Sequence, residues 1–594
     1  MVEDIHWIDP TTLEALGRGV DRIKSVGVLL IMTYRPEFEP PWLGRPYVTA
    51  LTLNRLGERD IATMIDRVQG NRALPDSIRQ DIIERTDGIP LFVEEMTKAV
   101  LEAEGEDAAE QTAAAVPASA LAVPASLHAS LLARLDRLGP GKEVAQVGAA
   151  IGREFSHTLL AAAIAKPEAD LRSALDRLIS AGLLFRQGLA PHASYQFKHA
   201  LVQDAAYGTL LRESRRALHA RIVETIERDF SEVAENQPEL LARHCTEAGA
   251  LGKAASLWGR AGHRSLERSA LIEAAQQLSL AVHQIANLPS TPALRREQIR
   301  FQVALVNAQM HTNGYAATAT KKSLNQARLL MEQAEELGEP LDDPLLLFSV
   351  LFGFWVANFN HFHRDVVCGL AVEFLGLAEK QKAIGPMIVA HRLVGSSLLL
   401  SGDITKARSH FDQAIALYDP MTHRLLATRF GQDLRVATLC SRSSALWHLG
   451  YLESPRHDTE RALKDAREIG QAATLMFALF YASGNYLHFR DYAPVNSLID
   501  ELLLLAEEKS AALWKLLGSC ARGALFAVTG RGSNAVQMLE KGIAALEANH
   551  TTLGRACSIN FRGDAIFNHD GQSRASKRSR GFGLALIDAN GGTA

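Results

Sequence analysis

Little in this sequence points to thiol, metal or polyanion chemistry. Five cysteines serve 594 residues, at positions 245, 368, 440, 520 and 557, and no CxxC pair occurs. Such spacing supplies neither a disulfide framework nor a zinc site and reads as reduced thiols. An excess of one charge is also missing. Lys and Arg number 63 against 67 Asp and Glu, a formal net charge of −4, which excludes a protein that grips polyanions by bulk charge. No run reaches the roughly 18 consecutive apolar residues of a membrane span. The N-terminus lacks a basic region followed by an apolar core, so a cytoplasmic location is expected. Constellations of Ser, Cys or carboxylates for nucleophilic or glycosidic chemistry do not stand out. His361 and His363, near Asp365, follow FSVLFGFWVANF, which reads as helix. Residues two apart on a helix point about 200° apart, so these histidines read as ordinary polar groups rather than a chelate.

What is present is a globular composition, 47% apolar and 22% charged, in a chain long enough for about four domains. The opening MVEDIHWIDPTTLEAL sets the acidic pair Glu3-Asp4 after Val2 and before a short amphipathic helix. That is how the end of a buried parallel strand looks when it delivers carboxylates to a metal–phosphate site, yet such a strand needs about five apolar residues. Val26 to Thr33, VGVLLIMT, is β-branched and continuously apolar, and the pattern predicts a strand buried on both faces. Pro36 and the Pro40-Pro41 loop follow. From Leu53 the period turns helical, with Ile61, Met64, Ile65 and Val68 on one face and Ile78, Ile82 and Ile83 on another. Gly88 is placed to close a helix and Pro90 to open the next, which runs to about Glu104. Residues 105–123, rich in Ala, read as a linker.

Ser126 can cap a helix carrying Leu127, Leu131, Leu135 and Leu138. A second helix covers about Asp170 to Ala181, and LLFR (183–186) and SYQFK (194–198) read as two strands. Helices followed by a hairpin suggest a winged helix, with a generic small α+β domain as the alternative. From about Ser214 almost everything is helical and repetitive. Gly395, Leu398, Gly402, Ala407, Phe411 and Ala414 alternate small and large residues as tetratricopeptide-type hairpins do. Leu251, Ala254, Trp258 and Ala261 match these offsets, as do Leu271, Ala274, Leu278 and Ala281, and near the end Gly523, Phe526, Gly530, Ala535 and Leu539. Turns at Gly402, Gly450, Arg490 and Gly530 are spaced 48, 40 and 40 residues apart. This is an α-solenoid pattern, whose concave face is the expected contact surface. After Leu546 the pattern stops, and seven glycines fall in the last 44 residues. The cluster Arg574, Lys577, Arg578 and Arg580 there reads as part of a solvated, disordered tail.

Four segments in order carry a resemblance. VEDIHWIDPTTLEAL resembles the Walker B segment of the STAND-type signalling ATPases of the AAA superfamily. VGVLLIMTYRPEF resembles their sensor-1 strand, DGIPLFVEE their GxP motif, and QFKHALVQDAAYGTLL the segment leaving their winged helix. The bacterial subgroup with a tetratricopeptide-like C-terminal half fits best, and a class III adenylate/guanylate cyclase domain often precedes the ATPase there. The resemblance implies Glu3 at the Mg²⁺ position, Asp4 positioning water, Arg35 reporting on the γ-phosphate and Pro90 beside the adenine. Phosphoryl transfer also needs a glycine-rich phosphate loop with its lysine, and no GxxxxGK[ST] occurs in the chain. The expectation is therefore an N-terminally truncated version of a longer protein, its first ~50 residues poorly packed for want of sheet partners.

The reading is a mainly α protein. It has a truncated α/β ATPase remnant (1–50), a helical lid (51–104), the linker, a winged-helix-like domain (124–213), a solenoid of tetratricopeptide-like repeats (214–546) and an irregular tail (547–594). As function it implies a regulatory or scaffold fragment that takes a protein or small-molecule input on its repeats and needs no cofactor alone. ATP or ADP with Mg²⁺ would serve an intact relative. The alternatives are an ATP-dependent signal-transduction or transcriptional regulator with its P-loop supplied elsewhere, and a non-catalytic C-terminal region of a cyclase. Between Gly141 and Gln187 six Lys or Arg meet five Asp or Glu, too balanced for a major-groove reader. DNA and membrane are not expected partners, and oligomerisation is left open.

Overall fold

The computed structural model describes residues 1–548 except 25, 111–125, 316, 340, 342, 362 and 510. The basic cluster 574–580, Cys557, almost all of the expected tail and most of the expected linker lie outside them. The Pro90–Glu110 helix runs six residues into the segment read as linker. The described chain is predominantly helical and forms two compact units, one of residues 1–38 with those from 255 onward, the other of residues 39–254.

In the 39–254 unit, Ile61 and Ile65 of Glu58–Gln69, Ile78 and Ile82 of Asp76–Thr86, and Val93, Met96 and Val100 of Pro90–Glu110 share one core. Those are the residues whose helical spacing marks one face. Gly88 must be glycine. Its φ is +70°, and a Cβ would stand 2.4 Å from the Leu56 carbonyl oxygen. Ser126 caps Leu127–Arg137 by accepting the Ala129 N–H at 3.2 Å. The expected hairpin is Leu184–Gln187 paired antiparallel with Ser194–Phe197, and a third strand, Glu154–Ser156, joins the far side of Ser194–Phe197. That strand escapes the sequence pattern because three residues are too few to show alternation.

In the other unit, antiparallel helix pairs repeat. Ile384–Ser401 precedes Ile404–Leu417, Leu434–His448 precedes Glu453–Ile469, Ala472–His488 precedes Val495–Glu508, and Ala512–Val528 precedes Gly532–Ala548. The turns at Gly402, Gly450, Arg490 and Gly530 all have positive φ, between 56° and 88°. The longer 48-residue spacing is explained by three short helical turns, Pro420–His423, Arg424–Leu426 and Ala427–Phe430, inserted before Leu434. The first helices of successive pairs pack on one another, from Pro292–Thr312 through Leu345–Phe359, Ile384–Ser401, Leu434–His448 and Ala472–His488 to Ala512–Val528. The last of these also contacts the first. The first helices therefore form an inner layer that curls back on itself.

The run expected to be a strand buried on both faces is not one. Residues 26–33 make a single parallel bridge, Met32 to Val2, and Leu29 is 84% exposed, with Val26, Val28 and Ile31 exposed as well. Burial on both faces requires flanking strands, and no strand among the described residues pairs with either of its edges beyond that bridge. One helix among the described residues, Ile384–Ser401, is long and apolar enough by composition to cross a membrane. It is an inner-layer helix with Ile388, Val389 and Leu393 fully buried, as expected of a core helix in a repeat stack.

Candidate functional site

The N-terminal carboxylates are set by the bridge at Val2. Its N–H donates to the Ile31 carbonyl at 2.8 Å and its carbonyl accepts the Thr33 N–H at 3.1 Å. Asp4, at φ 55°, donates its N–H to the Thr33 hydroxyl at 3.0 Å. Asp9 then caps Pro10–Ile23, accepting the Thr12 N–H at 2.9 Å. Glu3 is exposed, and the exposed Arg35 holds its guanidinium 5.9 Å from the Trp7 ring centre. Glu3, Asp4 and Arg35 thus share the ends of two adjacent parallel segments. Pro90 belongs to the other unit, at the first position of its helix. The residues present supply carboxylates suited to Mg²⁺ but no phosphate cradle, so they do not fit a complete nucleotide site and no hydrolytic step follows from them.

His361 and His363 also differ from expectation. The helix ends at Phe359, and both histidines lie in the following turn, their rings stacked 5.4 Å apart. Lys321 approaches His361 Nε2 at 2.9 Å, and His363 Nδ1 lies 3.1 Å from Asn358 Oδ1. No group of three metal-ligating side chains occurs among the described residues.

The unexplained polar groups lie elsewhere, where the inner helices converge. Arg392, midway along Ile384–Ser401, is 3% exposed, and among the described residues its Nε and Nη2 have no hydrogen-bond partner. Its guanidinium carbon sits 5.5 Å from the Phe352 ring centre on the preceding inner helix. Burial lowers its pKa to about 10, opposed by Tyr481, Tyr315 and Cys440. It remains a cation at neutral pH. Those neighbours come from different repeats, so the side chain stands where several inner helices meet rather than within one hairpin. The Tyr315 hydroxyl, the Trp514 indole N–H and His311 Nδ1 are likewise buried and unpartnered. Burial holds Tyr315 protonated and lowers His311 to about 4. By contrast, Arg435 pairs with Asp465 and Arg442 with Asp458, each at 2.8 Å.

The 420–431 insertion spans several of these inner elements. Asn307 donates its side-chain N–H to the Thr428 carbonyl, Arg429 pairs with Asp343, and the Gln471 side chain donates to the Ala427 carbonyl at 3.3 Å. Phe430 is fully buried edge-on against Phe352, ring centres 5.4 Å apart. The sequence reading did not single out Arg392. The signal was an arginine flanked by Ile388, Val389 and Leu393 in a helix holding no other Lys, Arg, Asp or Glu.

Comparison with known proteins gives a partial frame. No protein-family model matches the chain. An uncharacterized protein of Rhizobium meliloti is 27% identical over 457 residues, 76% of this chain and 43% of the relative. The chain therefore spans less than half the length of that relative. Among solved structures, a STAND signal-transduction ATPase with a tetratricopeptide repeat sensor from Pyrococcus horikoshii overlays 90% of this chain and 78% of its own, at 13% identity and a TM-score of 0.30. A Rap protein in complex with Competence and Sporulation Factor overlays 54% and 87%, at 10% identity and a TM-score of 0.38. At these scores neither overlay defines the fold, which rests on the helix pairs themselves.

Proposed function

We propose that this chain is a regulatory part of a STAND-type signalling ATPase, taking its input through the helical repeats and hydrolysing no ATP by itself. The observation that carries the reading is the inner layer of first helices, curled until its first and last members touch and burying polar groups that have no partner among the described residues. A purely structural solenoid core has no use for them, because unpaired buried polar groups destabilise. The ATPase half of the reading is supported by the parallel pairing of Val2 with Met32, after which the Asp4 backbone N–H bonds the Thr33 hydroxyl. It is also supported by Pro90 opening a helix two residues after a glycine at positive φ. The 124–213 segment, with its three-stranded sheet, is read as the winged helix, a regulatory arm rather than a DNA reader. In an intact relative, the input would bias an ADP-bound closed state against an ATP-bound open one, a population shift.

Titration calorimetry with Mg·ATP on the full chain tests this. The expected result is no micromolar binding. Micromolar affinity without a partner would overturn it and favour the second reading, an ATP-dependent regulator whose phosphate loop comes from elsewhere, for which Glu3 and Asp4 following the Val2–Met32 bridge are the supporting observation.

A further inference from the structure

We propose that the enclosed inner face of the repeat unit is a binding site for a small organic carboxylate with a flat apolar body, its carboxylate gripped by Arg392. This rests on the sensor reading above and gives that sensor a ligand class.

The argument starts from the two orphaned atoms. Nε and Nη2 are the pair on one edge of a guanidinium whose N–H bonds run parallel, and that edge matches the two oxygens of a carboxylate. On Arg392 it is this edge that lacks a hydrogen-bond partner among the described residues while the residue is 3% exposed. A buried guanidinium without a counter-ion is strongly destabilising, whereas one matched bidentately is not. Tyr315, whose buried hydroxyl has no partner among the described residues, lies within electrostatic reach of the same charge and is a further donor. The surroundings then choose among anions. Phe352 lies against the guanidinium, Tyr481 is within its electrostatic reach, and Phe477 stacks on Tyr481 at 4.4 Å and meets Trp514 edge-on at 6.2 Å. One fixed cation with aromatic walls suits one carboxylate on a flat apolar skeleton. A phosphate or sulfate carries more charge than a single guanidinium and a few neutral donors can match, and it wastes the aromatic faces.

The test uses the full chain and a panel of probes: phenylacetate, cinnamate and indole-3-acetate, their neutral primary amides, hexanoate, and sodium chloride and phosphate at matched ionic strength. Binding is read by thermal shift and calorimetry. At least one aryl carboxylate is expected to raise the melting temperature by several degrees, with its amide at least 100-fold weaker. R392M should abolish that shift, and R392K, a point charge without the fork, should weaken binding at least tenfold. Because R392M removes an unpaired buried charge, its ligand-free melting temperature should not fall, which separates lost binding from lost folding. Y315F, which keeps the ring, should weaken binding several-fold. Carboxylates binding no better than their amides, R392M binding as well as the parent chain, or a shift with chloride or phosphate equal to that with the acids would each overturn the proposal. A neutral small molecule that stabilises the parent and R392M alike would overturn it too, yet leave the sensor reading standing. Micromolar ATP binding would instead remove the sensor reading without touching Arg392.

Discussion

Gly395 and Phe411 face each other across one helical hairpin so closely that a Cβ on the glycine would stand 2.6 Å from the phenylalanine ring. Phe411 is fully buried and packs as well with Ala407 and with Ala445 of the next pair. The ring therefore joins two repeats, and its seat exists only because residue 395 has no side chain. A valine there has to push the ring out or part the helices. G395V is expected to destabilise the repeat unit by about 2 kcal/mol, in the range of overpacked cores. The measurement is the urea midpoint of the full chain. A midpoint equal to that of the parent would show that the hairpin adapts freely.

Arg490 occupies a turn where the equivalent positions are glycines. Its φ of 56° is left-handed, and the Asp491 N–H closes the turn on the Tyr486 carbonyl at 3.0 Å. A residue with a Cβ costs roughly 1 kcal/mol in this conformation. R490G should therefore raise stability by about 0.5 kcal/mol or more, after the extra chain entropy of glycine in the unfolded state is allowed for. A loss of stability would mean that the Arg490 side chain contributes something its backbone does not reveal.

In the 39–254 unit, Arg134 is buried to 2% exposure. It pairs with the buried Glu95 and reaches Glu102 with Nε at 3.1 and 3.0 Å, while Nη2 donates to the Ala181 carbonyl at 2.6 Å. One side chain thus ties the Pro90–Glu110 helix to Leu127–Arg137 and to the end of Glu168–Ser180. R134A leaves Glu95 buried and unpaired, and a loss of roughly 3–5 kcal/mol is expected. R134M with E95L, which removes both charges, should recover most of it. Failure of that double variant to recover would show that the link to Ala181, not the ion pair, holds the helices.

His219 and His244 meet Nδ1 to Nδ1 at 2.8 Å, a contact that requires at least one neutral ring. Burial lowers His219 to about 4, with Glu247 opposing and Arg243 and Arg215 assisting. Burial also lowers His244 to about 3, helped by His219 and Arg243. Tyr207 donates or accepts at His219 Nε2, 2.9 Å away, and also contacts Glu247. Both folded values lie below the ordinary 6.5, so the unfolded chain binds more protons as pH falls from about 6.5 towards 4. Stability is full above pH 6.5 and declines below it, by about 2 kcal/mol per histidine at pH 5 and so on the order of 4 kcal/mol for the pair. H244N should flatten that slope, which a series of chemical denaturations from pH 7.5 to 5 will show. An unchanged slope would place the acid sensitivity elsewhere.

The extent to which the sequence foretold this structure divides by the range of the interactions. The helix faces at Ile61/Ile65 and Ile78/Ile82, the cap at Ser126 and the hairpin at 184–197 were legible because each is written within a few neighbouring residues. So was the complementarity of Gly395 and Phe411, since a hairpin brings sequence neighbours together. The strand at 26–33 was misread. Its β-branched apolar run records a preference for a buried sheet, but burial is conferred by neighbouring strands, and among the described residues only Val2 pairs with it. The turn holding His361 and His363 was misread as helix because an apolar run gives no sign of where it stops.

By itself, then, the sequence determined the helical repeats and the places where they turn. Glycine at 402, 450 and 530 supplies the left-handed backbone that ends a helix, and the apolar period supplies the faces that must be covered. The tertiary structure alone decided what those faces enclose. Arg392 meets Phe352 and comes within electrostatic reach of Tyr315, Tyr481 and Cys440 because successive first helices pack side by side and curl. No local period encodes the angle at which one hairpin leans on the next. That angle is set by side-chain packing summed over many repeats, and it leaves Arg392 Nε and Nη2 without a hydrogen-bond partner among the described residues where the inner helices converge.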